Sequence, residues 1–351
     1  MGKVVMNPEE IVGQSKRSWF RRHPIWTVLM AAAGVLFLLG ITLYILPFNV
    51  DNSAESNPAT THDEAVERIT AVQQEEQASG EINPVCTSNV MTHDEKTEKV
   101  IVFYHGFTSC PEQFRELGEA FFDQGYNIYI PRLPYHGHAD QMSEALLNTT
   151  AEELAVFATE SVDIAQGLGE EVIVGGLSGG GTIATWIAQE HNDVDTAVMV
   201  APFLGIGFIP AVLNRPLTQI ANRIPNIWMW WDPQTKADNP STQSYQYPRY
   251  PLHTLAQYLR FGFAAEEDAK RVKPGVESLI LITNQNDESV NNQIIADFKK
   301  IWTSHGEEHI RTFEFGKDLG LPHDVITPTR EDGNPALVYP IIVDYINGGG
   351  E

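Results

Sequence analysis

Hydrophobic and polar positions divide this chain of 351 residues into three regimes. The first is a single uncharged apolar run, Ile25 to Leu46, reading IWTVLMAAAGVLFLLGITLYIL. As a helix at ~1.5 Å per residue these 22 residues reach about 33 Å, the thickness of a bilayer core. The second regime, Asp51 to Pro84, is polar, with eight acidic residues and Arg68 as its one base. Ala65, Val66, Ile69 and Val72 stand there at helical spacing and Gly80 supplies a stop, which predicts a short helix lying on the domain surface within an otherwise solvated tether. From Lys99 onward, short β-branched runs alternate with helix-period segments, the pattern of a parallel sheet with crossover helices. Strands are predicted at Val100 to Tyr104, Tyr126 to Ile130, Glu171 to Val174, Thr196 to Val200, Ser278 to Thr283 and Ile310 to Phe315. Helices are predicted at Pro111 to Asp123, Ala151 to Gly167, Gly180 to His191, Asn292 to Trp302 and Pro335 to Ile346.

Charge sharpens the division. Residues 1–22 hold five basic side chains (Lys3, Lys16, Arg17, Arg21, Arg22) against Glu9 and Glu10, and 23–50 carry no charged side chain. The net −23 therefore conceals a head of +3 and a remainder of −26. A basic flank before an apolar span, with Trp26 and Tyr44 near its two ends, predicts a single-pass anchor with a cytoplasmic N-terminus and a periplasmic or extracellular domain. A cleaved signal peptide is the alternative, but its apolar core is usually about 7–15 residues, and Leu46-Pro47-Phe48-Asn49-Val50 offers no small-residue cleavage site. The expected division is a basic head at 1–24, an anchor at 25–47, an acidic tether at 48–84 and a catalytic domain at 85–351 with an insertion at 203–273. The acidic balance argues against nucleic acid as a partner.

In parallel sheets the reacting groups collect in loops at the carboxyl ends of strands. After the strand Glu171 to Val174 the chain reads Gly175-Gly176-Leu177-Ser178-Gly179-Gly180-Gly181, and Gly176, Ser178 and Gly180 satisfy G-x-S-x-G. A strand that turns sharply into a helix leaves room only for residues without Cβ beside an exposed nucleophile, so Ser178 is the candidate. A serine nucleophile needs an imidazole base and a carboxylate to orient it. His323, in Gly320-Leu321-Pro322-His323-Asp324 after the last predicted strand, is the base candidate over His191, His253, His305 and His309. Asp287, just past the strand Ser278 to Thr283, is the acid candidate, with Glu288 and Asp318 as alternatives. The oxyanion-hole candidates are the amides of Phe107, in Tyr104-His105-Gly106-Phe107-Thr108, and of Gly179. His105 reads as a loop brace. His136 and His138 resemble a metal pair without further ligands at suitable spacing, so neither metal nor cofactor is expected.

The segments YHGFTSCPEQF, PRLPYHGHAD, GGLSGGG, Asn284 to Val290 and LPHD together resemble a serine hydrolase of the α/β-hydrolase superfamily. They are most similar to its bacterial carboxylesterase, monoacylglycerol-lipase-like and serine-aminopeptidase-like branch, over about Pro84 to Ile346. The resemblance implies an α/β-hydrolase fold, a mostly parallel sheet flanked by helices, with the triad Ser178, Asp287 and His323. Tyr135 departs from it, standing where relatives carry Gly in PGHG, and is expected to narrow the pocket edge. Residues 203–273 take the position of a cap, and Trp228, Trp230, Trp231, Tyr245, Tyr247, Tyr250, Tyr258, Phe261 and Phe263 are divided between pocket wall and the cap's own core. Cys86 and Cys110 fall in the exported part, where a disulfide persists, two free thiols being the alternative. The function expected is a membrane-anchored serine esterase acting on a small ester or lipid-like substrate. An aminopeptidase is the first alternative, requiring a cap acid such as Asp232, Asp238, Glu266, Glu267 or Asp268 to hold an ammonium. A non-catalytic anchored binding protein is the second.

Overall fold

The computed structural model describes residues 23–238, 245–306 and 309–350, so the basic head lies outside the described residues apart from His23 and Pro24. The chain divides after Leu46 into two units. In the first, helix α1 (Pro24–Ile45) starts with proline at its first turn and buries none of its residues. The Thr27 and Thr42 hydroxyls bond back to the carbonyls of His23 and Leu38 (3.0 and 2.9 Å), which pairs both threonine hydroxyls within the helix. It is the one helix among the described residues long and apolar enough to cross a membrane.

The second unit, Pro47–Glu351, is built on a seven-stranded sheet. Its strands are β1 (Asn89–Met91), β2 (Thr97–Tyr104), β3 (Asn127–Ile130), β4 (Gly169–Leu177), β5 (Thr196–Val200), β8 (Ser278–Asn284) and β9 (Ile310–Phe315), in the order β1-β3-β2-β4-β5-β8-β9. Pairing is parallel except for β1, which runs antiparallel to β3 at one edge. The six expected strands are all present. The missed strand β1 has three half-buried residues, too few to register as an apolar run. Burial of both faces explains why Val100–Tyr104 and Thr196–Val200 are continuously apolar, without alternation.

The crossover helices follow from local signals. α4 (Ala151–Leu168) opens on a capping box, Thr150 accepting from the Glu153 amide while Glu153 reaches back to the Thr150 amide. α5 (Gly179–Glu190) is buried throughout from Gly179 to Gln189, between the sheet and α7 (Leu252–Ala269). The segment Pro111 to Asp123 is a single 3-10 turn, Pro111–Phe114, followed by α3 (Arg115–Phe122). α8 (Asn292–Ser304) and α9 (Pro335–Ile346) complete the set. The insertion holds α6 (Ala211–Ala221), a ribbon of β6 (Trp228–Trp230) against β7 (Arg249–Pro251), and α7.

The expectation of a solvated tether is corrected. Residues from Pro47 belong to the compact unit, and α2 (His62–Ser79) packs on α4 with Ala65 and Ile69 fully buried. Gly167 permits this close approach, since a Cβ there would stand 2.5 Å from the Thr61 carbonyl oxygen. Asp163 accepts from the Ser56 hydroxyl (2.9 Å) and the Asn57 amide (2.6 Å), and Glu76, 5% exposed, accepts from Ser88 and from Arg132 Nε (2.9 Å). The helix stands where Ala65, Val66, Ile69 and Val72 predict one; what the acidic composition masks is that the segment around it is also bonded to the domain. Ile69→Ala should therefore lower the unfolding free energy by about 2–5 kcal/mol, the cost of a core truncation. Urea unfolding with an unchanged midpoint would restore the tether.

Candidate active site

Ser178 stands between β4 and α5 with φ 56° and ψ −115°, a backbone conformation that costs about 1–3 kcal/mol and persists only where its surroundings enforce it. Its amide donates to the Val200 carbonyl (3.0 Å), and its own carbonyl accepts from Thr182 and Phe203 (2.9 and 3.0 Å). A Cβ on Gly176 would meet the Gly180 carbonyl oxygen at 2.2 Å, and one on Gly180 would meet the Tyr104 oxygen at 1.9 Å. Thr108, Tyr135 and Ala201 also have positive φ (67°, 64° and 41°). Strain is thus concentrated in the loops after β2, β3, β4 and β5, at one end of the sheet.

Register brings the remaining groups there. Tyr104 pairs with Gly176, so the loop after β2 opens beside Ser178; Asn284 pairs with Phe315, so the loops after β8 and β9 open beside each other. His323 Nδ1 lies 2.6 Å from Asp287 Oδ2. The Asp287 side chain is fully buried, and its other oxygen accepts from the Ser289 and Val290 amides (2.9 and 3.1 Å), which fixes the carboxylate and aims it at His323. A Cβ on Gly179 would stand 3.1 Å from the Phe107 nitrogen, so that amide faces the start of α5. The Phe107 loop is held from several sides. Gly106 donates to Gln113 Oε1 (2.7 Å), the Thr108 carbonyl accepts from the Tyr247 amide (3.0 Å), and its hydroxyl accepts from Trp231 Nε1 (3.0 Å). His105 donates from Nδ1 to the Gly106 carbonyl (3.0 Å) and accepts at Nε2 from the Leu133 amide (3.1 Å), a neutral tautomer that braces this loop.

Ser178, His323, Phe107, Thr108, Ser109, Gln113, Trp231 and Arg330 are among the residues lining one cavity of about 290 Å³. Of the nine cap rings, only Trp231 lines it; Tyr245, Tyr247, Tyr258, Phe261 and Phe263 are buried in packing. Tyr135 does not line it either. Its positive φ explains why glycine suits that position, and its hydroxyl is tied to Glu153 Oε1 (2.5 Å), away from the expected pocket edge. Among the described residues it is Asp287, and neither Glu288 nor Asp318, that bonds His323, and Asp324, its neighbour in sequence, turns instead toward Gln113 and Thr327. Cys86 and Cys110 are joined in a disulfide, with Cα atoms 5.2 Å apart, between the turn before β1 and the end of the Phe107 loop. His136 is buried behind Phe107, and His138 stands beside Glu81; among the described residues no three metal-ligating side chains converge. Sequence reasoning assigned no role to Gln113, although it lies in the segment YHGFTSCPEQF, seven residues past the glycine it supports.

The parallel sheet, the strained serine elbow and the buried Asp287–His323 pair define a serine hydrolase of the α/β-hydrolase fold. Residues 95–309 match the family described as serine aminopeptidase, S33, and the chain belongs to that family. A thermostable monoacylglycerol lipase of Bacillus sp. (strain H-257) is 24% identical over 237 residues, covering 62% of this chain and 86% of that protein. Among solved structures, that of the Paleococcus ferrophilus monoacylglycerol lipase aligns with TM-score 0.55 at 17% identity, over 74% of this chain and 97% of that one. A soluble variant of the Saccharomyces cerevisiae monoglyceride lipase aligns with TM-score 0.54 at 13% identity, over 74% and 90%. Together they place the chain with lipase- and esterase-like hydrolases.

Burial holds the imidazoles of His105 and His136 neutral, the former well below its usual range and the latter down to about 3. Between the ordinary histidine value of 6.5 and about 3, the unfolded chain binds protons at these positions that the native chain does not. Stability must then fall as pH falls through this window, by about 1.4 kcal/mol per pH unit for each such histidine. His136→Gln should remove about one proton from the slope of unfolding free energy against pH. Equal slopes for the two proteins between pH 6 and 4 would contradict the assignment.

Proposed function

We propose that this chain is a membrane-anchored serine hydrolase that cleaves carboxylic esters through an acyl-enzyme on Ser178. The observation that carries the reading is the 2.6 Å contact of His323 Nδ1 with buried Asp287, in a site whose cavity is lined by His323 and Ser178 together. Asp287 holds the Nδ1 proton and leaves His323 Nε2 free to take the Ser178 hydroxyl proton. Ser178 Oγ attacks the ester carbonyl, and the amides of Phe107 and Gly179 receive the oxyanion, each donor contributing about 2.7–4 kcal/mol. His323 returns the proton to the departing alcohol. Water, deprotonated by the same imidazole, then releases the carboxylic acid and restores Ser178. A cavity of about 290 Å³ suits a small or monoacyl ester, and the lipase relatives support that class.

The aminopeptidase alternative draws on the family's description. It requires an uncommitted acid in the cavity wall, and the cap acids are engaged elsewhere. Glu266 and Glu267 pair with Arg215, Asp268 pairs with Arg271 and Asp232 caps its own turn; none of these, nor Asp238, lines the cavity. Ester cleavage is therefore favoured.

The Cys86–Cys110 disulfide supports export, since such bonds persist in oxidising compartments, and α1 with its basic flank supports anchoring. Ser178→Ala should abolish p-nitrophenyl ester turnover with the fold retained, and Asp287→Asn should lower kcat about 10⁴-fold. Full activity in Ser178→Ala, or faster turnover of aminoacyl-naphthylamides than of acyl esters, would overturn the esterase reading. Protease added to intact spheroplasts should degrade the catalytic domain; protection equal to that of a cytoplasmic marker would reverse the topology.

A further inference from the structure

The loop carrying Phe107 follows β2, and the loop carrying His323 follows β9. In the sheet order these strands are four positions apart, with β4, β5 and β8 between them. At ~4.8 Å per strand spacing that is about 19 Å at the level of the sheet. The loops must lean toward each other to share one cavity, and loops without cross-links drift relative to their scaffold. Acyl transfer tolerates little drift, since a displacement of about 1 Å can cost 10²-fold in rate.

One side chain spans this gap. Gln113, 2% exposed in the turn Pro111–Phe114, accepts at Oε1 from the Gly106 amide (2.7 Å), the peptide next to Phe107. Its Nε2 donates to Asp324 Oδ2 (3.0 Å), the residue next to His323, and to Thr327 Oγ1 (3.2 Å). Asp324 is itself fixed: Oδ1 accepts from the Ile326 and Thr327 amides (3.2 and 3.0 Å), and Oδ2 from the Thr327 hydroxyl (2.6 Å). The amide has one workable orientation. Turned over, its NH₂ would face the Gly106 N–H and its oxygen would face a carboxylate, leaving buried groups unpaired at about 1–3 kcal/mol each. Gly106, Phe107, Gln113, His323 and Asp324 all line the catalytic cavity, so the bridge belongs to its wall.

We propose that Gln113 and Asp324 are positioning residues, a clasp that sets the distance between the oxyanion donor at Phe107 and the base at His323. This rests on the reading of Ser178, Asp287 and His323 as a hydrolytic triad. The clasp bonds to the loops beside the triad and to none of Ser178, Asp287 or His323. Its loss should therefore act on kcat and leave KM nearly unchanged.

The polarity of the clasp can be reversed without changing its shape. Gln113→Glu alone sets two carboxylates face to face, and Asp324→Asn alone sets two amides against each other with backbone donors to satisfy. In the double variant the glutamate still accepts from the Gly106 amide, and the new asparagine donates to it. At a temperature well below the Tm of every variant, each single substitution should reduce kcat for a p-nitrophenyl ester at least tenfold, with KM within about twofold. The double variant should regain at least tenfold over the weaker single. Single variants with wild-type kcat would overturn the clasp, as would a double variant that regains its Tm but not its kcat. If the single variants do not fold, the folded double variant decides by the same criterion. Gln113→Met, which keeps the shape and removes all three bonds, gives an independent reading, a wild-type kcat again overturning the clasp. Absence of ester turnover and of fluorophosphonate labelling in the wild type would instead overturn the hydrolase reading, and the clasp with it.

Discussion

No Cβ fits at Gly176 or Gly180 in the turn from β4 to α5. A side chain at these two positions would begin 2.2 and 1.9 Å from backbone oxygens, and Ser178 between them is held at φ 56°. The strain at Ser178 is sustained by the buried parallel sheet on one side and by α5, wholly buried up to Gln189, on the other. The same compression places the first amides of α5 against the peptide of Phe107. The proposed nucleophile and oxyanion donors thus come from a single packing constraint, at the point where the chain has crossed from β3 over β2 to β4 and the strand order reverses.

The other half of the site comes from the far end of the sheet and meets the first half through hydrogen bonds. Asp287 is fixed by two backbone amides and in turn fixes His323, while Gln113 joins the loop beside His323 to the loop beside Phe107. From the cap, Trp231 and Tyr247 bond the Phe107 loop at Thr108, so the cap takes part in holding that loop. Buried histidines behind this loop, His105 and His136, stay neutral and contribute shape and hydrogen bonds without charge.

The sheet was legible because both of its faces are buried, which turns each central strand into an uninterrupted β-branched run. The positions of Ser178, Asp287 and His323 were legible because each stands just past such a run. What stayed hidden depends on side-chain direction. Residues 48–84 read as a tether because the helix there buries only Ala65, Ile69 and Glu76 and its remaining surface is polar. The cap aromatics read as one group, yet only Trp231 turns to the cavity, because their orientation is set by how α7 and the β6–β7 ribbon fold back. Gln113 and Asp324 lie in the segments YHGFTSCPEQF and LPHD, but nothing in either segment pairs the two, since a contact across 211 residues leaves no spacing to find.

The account stands on Ser178 being the activated nucleophile. Intact-mass measurement after exposure of the full-length protein to a fluorophosphonate tests this most directly. The prediction is one phosphonyl adduct, mapped by peptide fragmentation to Ser178, lost in Ser178→Ala and strongly slowed in His323→Ala. Labelling at another residue, or an unchanged rate without His323, would contradict it.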